Sequence, residues 1–473
     1  MMFYGHNITC LVLRYYMFKI KVCNCYNDES MKKLILVNPL GRKSGFLLSK
    51  ITRFQPLGLG YVAACTPSDW QVKILDENIE PCSFEDADLV GITAFTSSIN
   101  RAYEIAETYR QRGTKVVMGG IHVSMLPDEA LKYVDSVVIG EAEGVWDRVI
   151  KDWEDNRLQP KYTNTRIDLG NNHIRPRRDL FHPDYFWQSV QTSRGCPFNC
   201  SFCSVTNYLG PEYRQRTYEN VLDELKDIKG KYITFVDDNL IGHNTQSKTR
   251  AKKLFQGMVD LKLSKKWWMQ ASINTADDDE LIRLAAKAGC LFVFIGFETI
   301  EKRSLKAMKK GINLKTGVNN YKTVVKAFHR HGIGVLGAFI LGNDYESDAY
   351  YRELANFMVH SGIDVFQTTF LTPLPGTDLM RQLEHEGRLV HKDFPHDWDK
   401  YRLSYVVHQP TGVDADTIYR GTNYIKDHLY SFPWYYYRLA KSFLSVRKPV
   451  TCLTVRKLNE SYKRAWHGAQ YKN

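Results

Sequence analysis

The sequence predicts an α/β protein with two parallel sheets in series, followed by a mainly helical, basic C-terminal region. Two observations carry this reading. Short runs of β-branched and aliphatic residues alternate with helical spacing twice along the chain, from Lys32 to about Asp155 and again from about Gln188. Between them, residues 156–188 are rich in Pro, Arg, Asn and Asp with little periodicity, which predicts a linker.

In the first series, Leu34–Val37, Gln71–Leu75, Leu89–Ile92, Lys115–Met118 and Ser136–Ile139 read as buried parallel strands. Helical spacing falls at Leu57–Ala64, Ser98–Arg112 and Pro127–Tyr133. This is the pattern of a doubly wound, flavodoxin-like domain over residues 31–155. In an open α/β sheet, ligands bind beyond the carboxyl ends of the strands, where small residues let a ligand approach the backbone. Four such ends carry small or polar turns: Asn38 to Gly41, Thr93 to Ser97, Gly119-Gly120-Ile121-His122 and Gly140-Glu141. Turns on one edge imply one large ligand.

The second series predicts strands at Ser189–Ser193, Tyr232–Val236, Trp268–Ile273, Leu291–Phe297, Gly334–Leu341 and Val365–Leu371. Helical patterns fall between them at 218–229, 246–261, 278–288, 315–331 and 347–360. Six β/α units over residues 189–394 predict a partial (β/α)6 TIM-like barrel, with its chemistry at the C-terminal strand ends. Residues 395–473 read as mainly helical, with one helix over 416–444. From Arg438 to Lys472 there are nine Lys or Arg against one acid, Glu460. Such a basic, aromatic tail suits peripheral contact with a membrane surface or an anionic substrate, or simply a solvated helix packed on the barrel.

The bulk numbers narrow the classes. The chain has 473 residues, 44% hydrophobic and 25% charged, with a formal charge of +12, which is the balance of a folded multi-domain protein with a basic surface. That charge permits anionic partners but gives no firm evidence for nucleic acid. Ten cysteines, three of them within eight positions, favour a metal site in a reducing compartment over a disulfide scaffold. No run reaches the roughly 18 apolar residues of a membrane span. Residues 1–30 lack the layout of a secretory signal, and Met31 opens the first strand, so 1–30 read as an extension outside the fold.

The decisive segment is Ser193-Arg-Gly-Cys196-Pro-Phe-Asn-Cys200-Ser-Phe202-Cys203, in the loop after the first barrel strand. Three thiolates spaced x3 and x2 can take three irons of a cubane cluster and leave the fourth iron open for a small molecule. A structural zinc site asks for four ligands, and no fourth cysteine follows nearby.

This segment resembles the signature of the radical S-adenosylmethionine superfamily, with the aromatic Phe202 before the last cysteine. The resemblance implies a [4Fe–4S] cluster on Cys196, Cys200 and Cys203 whose open iron binds S-adenosylmethionine, and one-electron cleavage to a 5′-deoxyadenosyl radical. It also implies cofactor contacts at later strand ends: Asp237 and Asp238 where the family carries a Gly-Gly-Glu-like turn, then Asn274, Glu298, and Gly342 with Glu346. The flavodoxin-like domain upstream resembles the cobalamin-binding branch of that superfamily. That would place cobalamin on Asn38, Gly41, Thr93, Ser97, Gly119, Gly120, His122, Gly140 and Glu141. The Asp-x-His-x-x-Gly cobalamin signature is absent, so a histidine below the cobalt is not expected. The implied enzyme is cytoplasmic, is reduced by a donor such as flavodoxin or ferredoxin, and methylates an unactivated carbon of a small-molecule or lipid substrate. Cyclisation, rearrangement or oxidation by the same machinery, and RNA modification, stay open at this point.

Overall fold

The computed structural model describes residues 31–41, 53–164, 166–171 and 174–468, so the expected extension 1–30 lies outside the described residues. The first series forms one parallel sheet from β1 (Lys32–Asn38), β2 (Trp70–Asp76), β3 (Leu89–Thr93), β4 (Lys115–Gly119), β5 (Ser136–Ile139) and β6 (Lys161–Thr163), in the order β2-β1-β3-β4-β5-β6. Strand β1 shows why its residues are apolar without alternation. Ile35 and Val37 pack with Ile99 and Tyr103 of the helix Ile99–Gln111, while Leu34 and Leu36 pack with Leu59 and Trp146 on the other face. Both faces are covered, and each buried side chain contributes roughly 1.5–3 kcal/mol. The winding reverses at β1, which opens a crevice between the ends of β1 and β3.

The linker assignment needs correction at its start. Residues 161–163 extend the sheet, with Tyr162 buried and its hydroxyl donating to Asp152 at 2.8 Å. One apolar residue in a three-residue strand carries too little pattern to be read.

The second series forms β7 (Gln188–Val190), β8 (Ser193–Arg194), β9 (Arg214–Gln215), β10 (Tyr232–Phe235), β11 (Lys266–Ala271), β12 (Cys290–Glu298), β13 (Gly334–Leu341) and β14 (Val365–Phe370). Six of these make an open parallel barrel in the order β7-β10-β11-β12-β13-β14, while β8 and β9 form a separate antiparallel hairpin. The expected strand Ser189–Ser193 is thus split. The backbone N–H of Thr192 and the hydroxyls of Thr192 and Ser193 all donate to the Asp237 carboxylate, at 3.0, 2.8 and 2.5 Å, and this draws the chain off the ladder. The expected helix 315–331 is broken by Gly317, at φ 79°, and resumes as Tyr321–His329.

The single helix expected over 416–444 is two, Ala415–Tyr430 and Trp434–Val446, because Pro433 has no N–H to continue the ladder. A third, Pro449–Gly468, closes the barrel at the end where its strands begin. There the Thr451 hydroxyl donates to the Gly332 carbonyl at 3.0 Å and the Asn459 amide to the Asp364 carbonyl at 2.9 Å, with Val455, Leu458 and Tyr462 in the barrel core. Residues 401–414 are not helical. They belong to an irregular strap that returns to the N-terminal domain, where Trp398 stacks on Phe394 and its indole N–H donates to Glu129 at 3.0 Å. No helix among the described residues is long and apolar enough to cross a membrane.

The strap carries a pH-dependent group. His408 is buried and pairs across a bridge with Leu389. Desolvation, and next the charge of Arg388, push its pKa down from 6.5 to about 4. The unfolded chain takes up this proton below about 6.5, whereas the folded chain refuses it until about 4. The stability tied to His408 is complete above 6.5 and lost as pH falls through that window, about 3 kcal/mol in all. Chemical denaturation across this range should show the decline, and His408→Phe should flatten it.

Candidate active site

The cysteine loop is pinned on three sides. Gly195, just before Cys196, sits at φ 83°, and a Cβ there would strike the Glu212 carbonyl, so the turn requires glycine. The Ser201 N–H donates to the Met308 carbonyl at 3.0 Å and its hydroxyl to the Ala307 carbonyl at 3.1 Å, while its own carbonyl accepts from Leu379 at 2.9 Å. Phe202 packs into a core that contains Ile35 and Val37 of the first sheet together with Ile340 and Leu371 of the barrel. The loop therefore lies at the barrel mouth, against the N-terminal domain. Burial raises the pKa of all three thiols, Cys203 to about 12. Thiols in such surroundings ionise when a cation binds them. Among the described residues no three Cys, His, Asp or Glu side chains converge on a single ion. A cubane does not ask for that, since each thiolate takes a different iron.

Lys310, which carried no signal in the sequence, is the cation of this centre. Its ammonium is 2.6 Å from Glu298 and 5.8 Å from the centre of the Phe202 ring. Burial opposes its charge, but Glu298 and then Cys200 outweigh that and hold it protonated. Glu298 itself sits at φ 66°, a strained conformation for a residue with a side chain, at the end of β12.

The other strand ends divide into two kinds. Asp238 lies close enough to Cys196 and Cys203 to act on their thiols, and desolvation and then the charge of Asp237 push its carboxyl up to about 6. Asn274 is buried with its Oδ1 unpartnered, and so are the Thr234 hydroxyl and the Trp268 indole nitrogen. A buried polar atom without a partner is costly unless a ligand supplies one, so these residues fit a polar cosubstrate. Asp237 and Glu346 are engaged by the protein itself. Asp237 is held by Thr192 and Ser193, as above. Glu346 accepts from the Gly342 N–H at 2.8 Å, the Asn343 amide at 2.7 Å and the Tyr351 hydroxyl at 2.7 Å. Each positions a turn, and Gly342, at φ 85°, is the turn that Glu346 holds.

On the first sheet, the turns after β1, β3 and β4 come together. A Cβ on Gly41 would strike the Ser97 carbonyl, and one on Gly120 would come within 2.8 Å of the Ala94 backbone and 2.9 Å of the Thr93 hydroxyl. Gly119 accepts from the Ala94 N–H at 3.1 Å, and Gly140, at φ 86°, has open space beside it. Phe95, between these turns, is 63% exposed, an apolar ring on the ligand edge that an apolar residue inside a polar turn could have signalled. This cradle of close backbone and one bare ring fits a large flat cofactor. The Asn38 amide is instead engaged with Asp76 at 2.9 Å, so that residue shapes the turn.

Two further residues expected at the cofactor are also engaged within the protein. His122 is buried with both ring nitrogens engaged, Nδ1 with the Thr96 hydroxyl at 3.2 Å and Nε2 with Glu129 at 3.3 Å. Its ring meets Trp398 of the strap edge-on, at 5.2 Å between centroids. Glu141 turns to the barrel. It accepts from both terminal nitrogens of Arg214, one at 3.0 Å, and from the Ile167 N–H at 3.0 Å. Arg194, two residues before Cys196, pairs with Glu143, lies 3.6 Å from Glu141 and covers the Tyr61 ring. These four charges, two from each domain and with Glu141 and Arg194 buried, tie the β5 turn to the strand that leads into the cysteine loop.

Comparison with known proteins places this architecture. The model of the radical SAM superfamily matches residues 190–358, and that of the B12 binding domain matches residues 52–150. The bacteriochlorophyllide d C-12(1)-methyltransferase of Chlorobaculum tepidum is 31% identical over 424 residues, covering 84% of this chain and 87% of that protein. The hopanoid C-2 methylase of Rhodopseudomonas palustris is 29% identical over 362 residues, covering 73% of this chain and 68% of its own. The structure of the radical S-adenosylmethionine methyltransferase TsrM from Kitasatospora setae, with cobalamin and a [4Fe–4S] cluster bound, shares the fold. Its TM-score is 0.65 at 16% identity, over 90% of this chain and 99% of that one.

The fold and the matches together define a radical SAM enzyme with a B12-binding domain. The chain belongs to the cobalamin-dependent radical SAM methyltransferase family, whose cofactors are a [4Fe–4S] cluster, S-adenosylmethionine and cobalamin.

Proposed function

We propose that this enzyme transfers a methyl group to an unactivated carbon of a large, mostly apolar small molecule or lipid. The observation that carries the reading is that one core joins the two ligand edges: Phe202 of the cysteine loop packs with Ile35 and Val37 of the first sheet, whose strand ends carry the close backbone turns. Strand alternation turns Trp268 and Phe292, stacked at 5.2 Å, and also Phe294 and Ala338, to the barrel interior. That wall suits an apolar substrate more than a nucleic acid.

When bound, the cluster with S-adenosylmethionine supplies one-electron cleavage of a carbon–sulfur bond, and cobalamin supplies a transferable methyl group. Cys196, Cys200 and Cys203 would hold three irons. Lys310, kept charged by Glu298, offsets the negative charge that thiolates bring into a buried site. Asn274 offers its free Oδ1 to a ribose hydroxyl, and Asp238 offers a carboxylate to an ammonium. Gly41, Thr93, Ser97, Gly119, Gly120, Gly140 and Phe95 would receive the corrin. A small one-electron protein of the flavodoxin or ferredoxin kind, in a reducing cytoplasm, completes the proposal.

The test is anaerobic reconstitution with iron, sulfide and hydroxocobalamin, then turnover with S-adenosylmethionine and a low-potential reductant. Bacteriochlorophyllide d and a hopanoid are the first candidate substrates, because the relatives named above are named for them. Methyl transfer requires 5′-deoxyadenosine and S-adenosylhomocysteine to form together with a methylated product. The first alone counts against it, in favour of cyclisation or oxidation.

A further inference from the structure

We propose that the outer face of the helix Trp434–Val446, with the first turn of Pro449–Gly468, docks on an anionic membrane surface. The helix buries Tyr435, Arg438, Ser442 and Val446 on one side. Its other side, at the helical spacing of Tyr436, Ala440, Phe443 and Leu444, is turned to solvent, where a surface helix ordinarily carries charge. Phe432 is 82% exposed, Leu444 68% and Tyr436 63%, and Leu453 on the next helix is exposed as well. Single exposed apolar residues are ordinary, but a helix face made of them is not.

Charge names the occupant. Between Asp427 and Glu460 the chain has no acid and six Lys or Arg. Arg447 and Lys457 are exposed on this part of the chain, while Arg456 pairs with Glu460 at 2.8 Å. Aromatic and aliphatic side chains ringed by cations match a bilayer interface rich in anionic headgroups. A second copy of the same face would set these cations against one another across a two-fold axis, which disfavours self-association.

The position of the face sets its role. Lys441 donates to the His360 carbonyl at 3.0 Å and Ser442 to the Asp364 carboxylate at 2.5 Å, both just before β14 begins. The strip is therefore at the end of the barrel opposite the cysteines. Docking there holds the enzyme at the bilayer with its mouth turned to water, so substrate enters the barrel from the aqueous side.

The experiment is co-sedimentation of the full chain with phosphatidylcholine vesicles, with and without phosphatidylglycerol, at low and high salt. The expected result is binding to the anionic vesicles only, weakened by salt. Phe443→Ser with Leu444→Ser, and separately Arg447→Glu with Lys457→Glu, should each weaken it roughly tenfold. Unchanged iron content and circular dichroism show that the variants fold. Absent binding, or equal binding to neutral vesicles, overturns the proposal. So does a concentration-dependent dimer that the Phe443 and Leu444 changes dissolve.

Discussion

Alanine in place of Cys196, Cys200 or Cys203 is expected to give a folded chain that no longer retains its iron–sulfur cluster. Each thiol is the sole protein bond to one iron in the proposed assembly, so no neighbour can substitute. The loop itself should persist, because its anchors are the backbone and hydroxyl of Ser201 and the packing of Phe202, not the sulfurs. Iron and acid-labile sulfide should fall together after anaerobic reconstitution. Cleavage of S-adenosylmethionine should drop by more than about 100-fold, beyond the roughly 10–100-fold typical of losing an outer-sphere partner. Wild-type protein with tetrahedral zinc at these cysteines would contradict the assignment, as would a variant with undiminished iron and turnover.

Removing one arginine from the domain junction should also have a large effect. Arg194 is buried and held protonated, its desolvation outweighed first by Glu143 and then by Glu141. Arg194→Ala leaves Glu143 without its arginine and Glu141 with Arg214 alone, in a largely buried junction. Breaking such a pair from one side costs about 3–5 kcal/mol. Calorimetry should show a lowered and broadened unfolding transition, with the first sheet parting from the barrel. Because Arg194 is two residues from Cys196, cluster content should fall in parallel. Replacing Arg194 and Glu143 together by Met and Leu should recover much of the loss, since the penalty lies in the unpaired charge. A single mutant that melts like the wild type would show that the two domains are held elsewhere.

The sequence is informative where the physics is local. Apolar runs in β1 and β12 follow from strands covered on both faces, and the cysteine spacing is set by one short loop. Aim is another matter. His122, Glu141, Asp237 and Glu346 were each correctly sited at a strand end. Yet His122 is engaged by Glu129 and Thr96, and Glu141 by Arg214, seventy-three residues away. Periodicity puts a residue on an edge but does not say which partner will take its side chain. Lys310 shows the converse. It joins the centre only because the chain after β12 folds back toward Glu298, and nothing in its neighbours announces that. The break at Ser193 likewise depends on a carboxylate from the next β/α unit.

The barrel's floor has a consequence for biogenesis. Strands β10 to β14 are made by residue 370, whereas the helix that shuts their entry end begins at Pro449. During translation the underside of the barrel, including the surroundings of Gly332 and Asp364, must wait for some eighty further residues while its apolar lining is open to the ribosomal exit environment. The first sheet, complete by Thr163, has no such delay. Nascent chains halted before Pro449 should therefore carry a folded front half and a rear half that solicits chaperones.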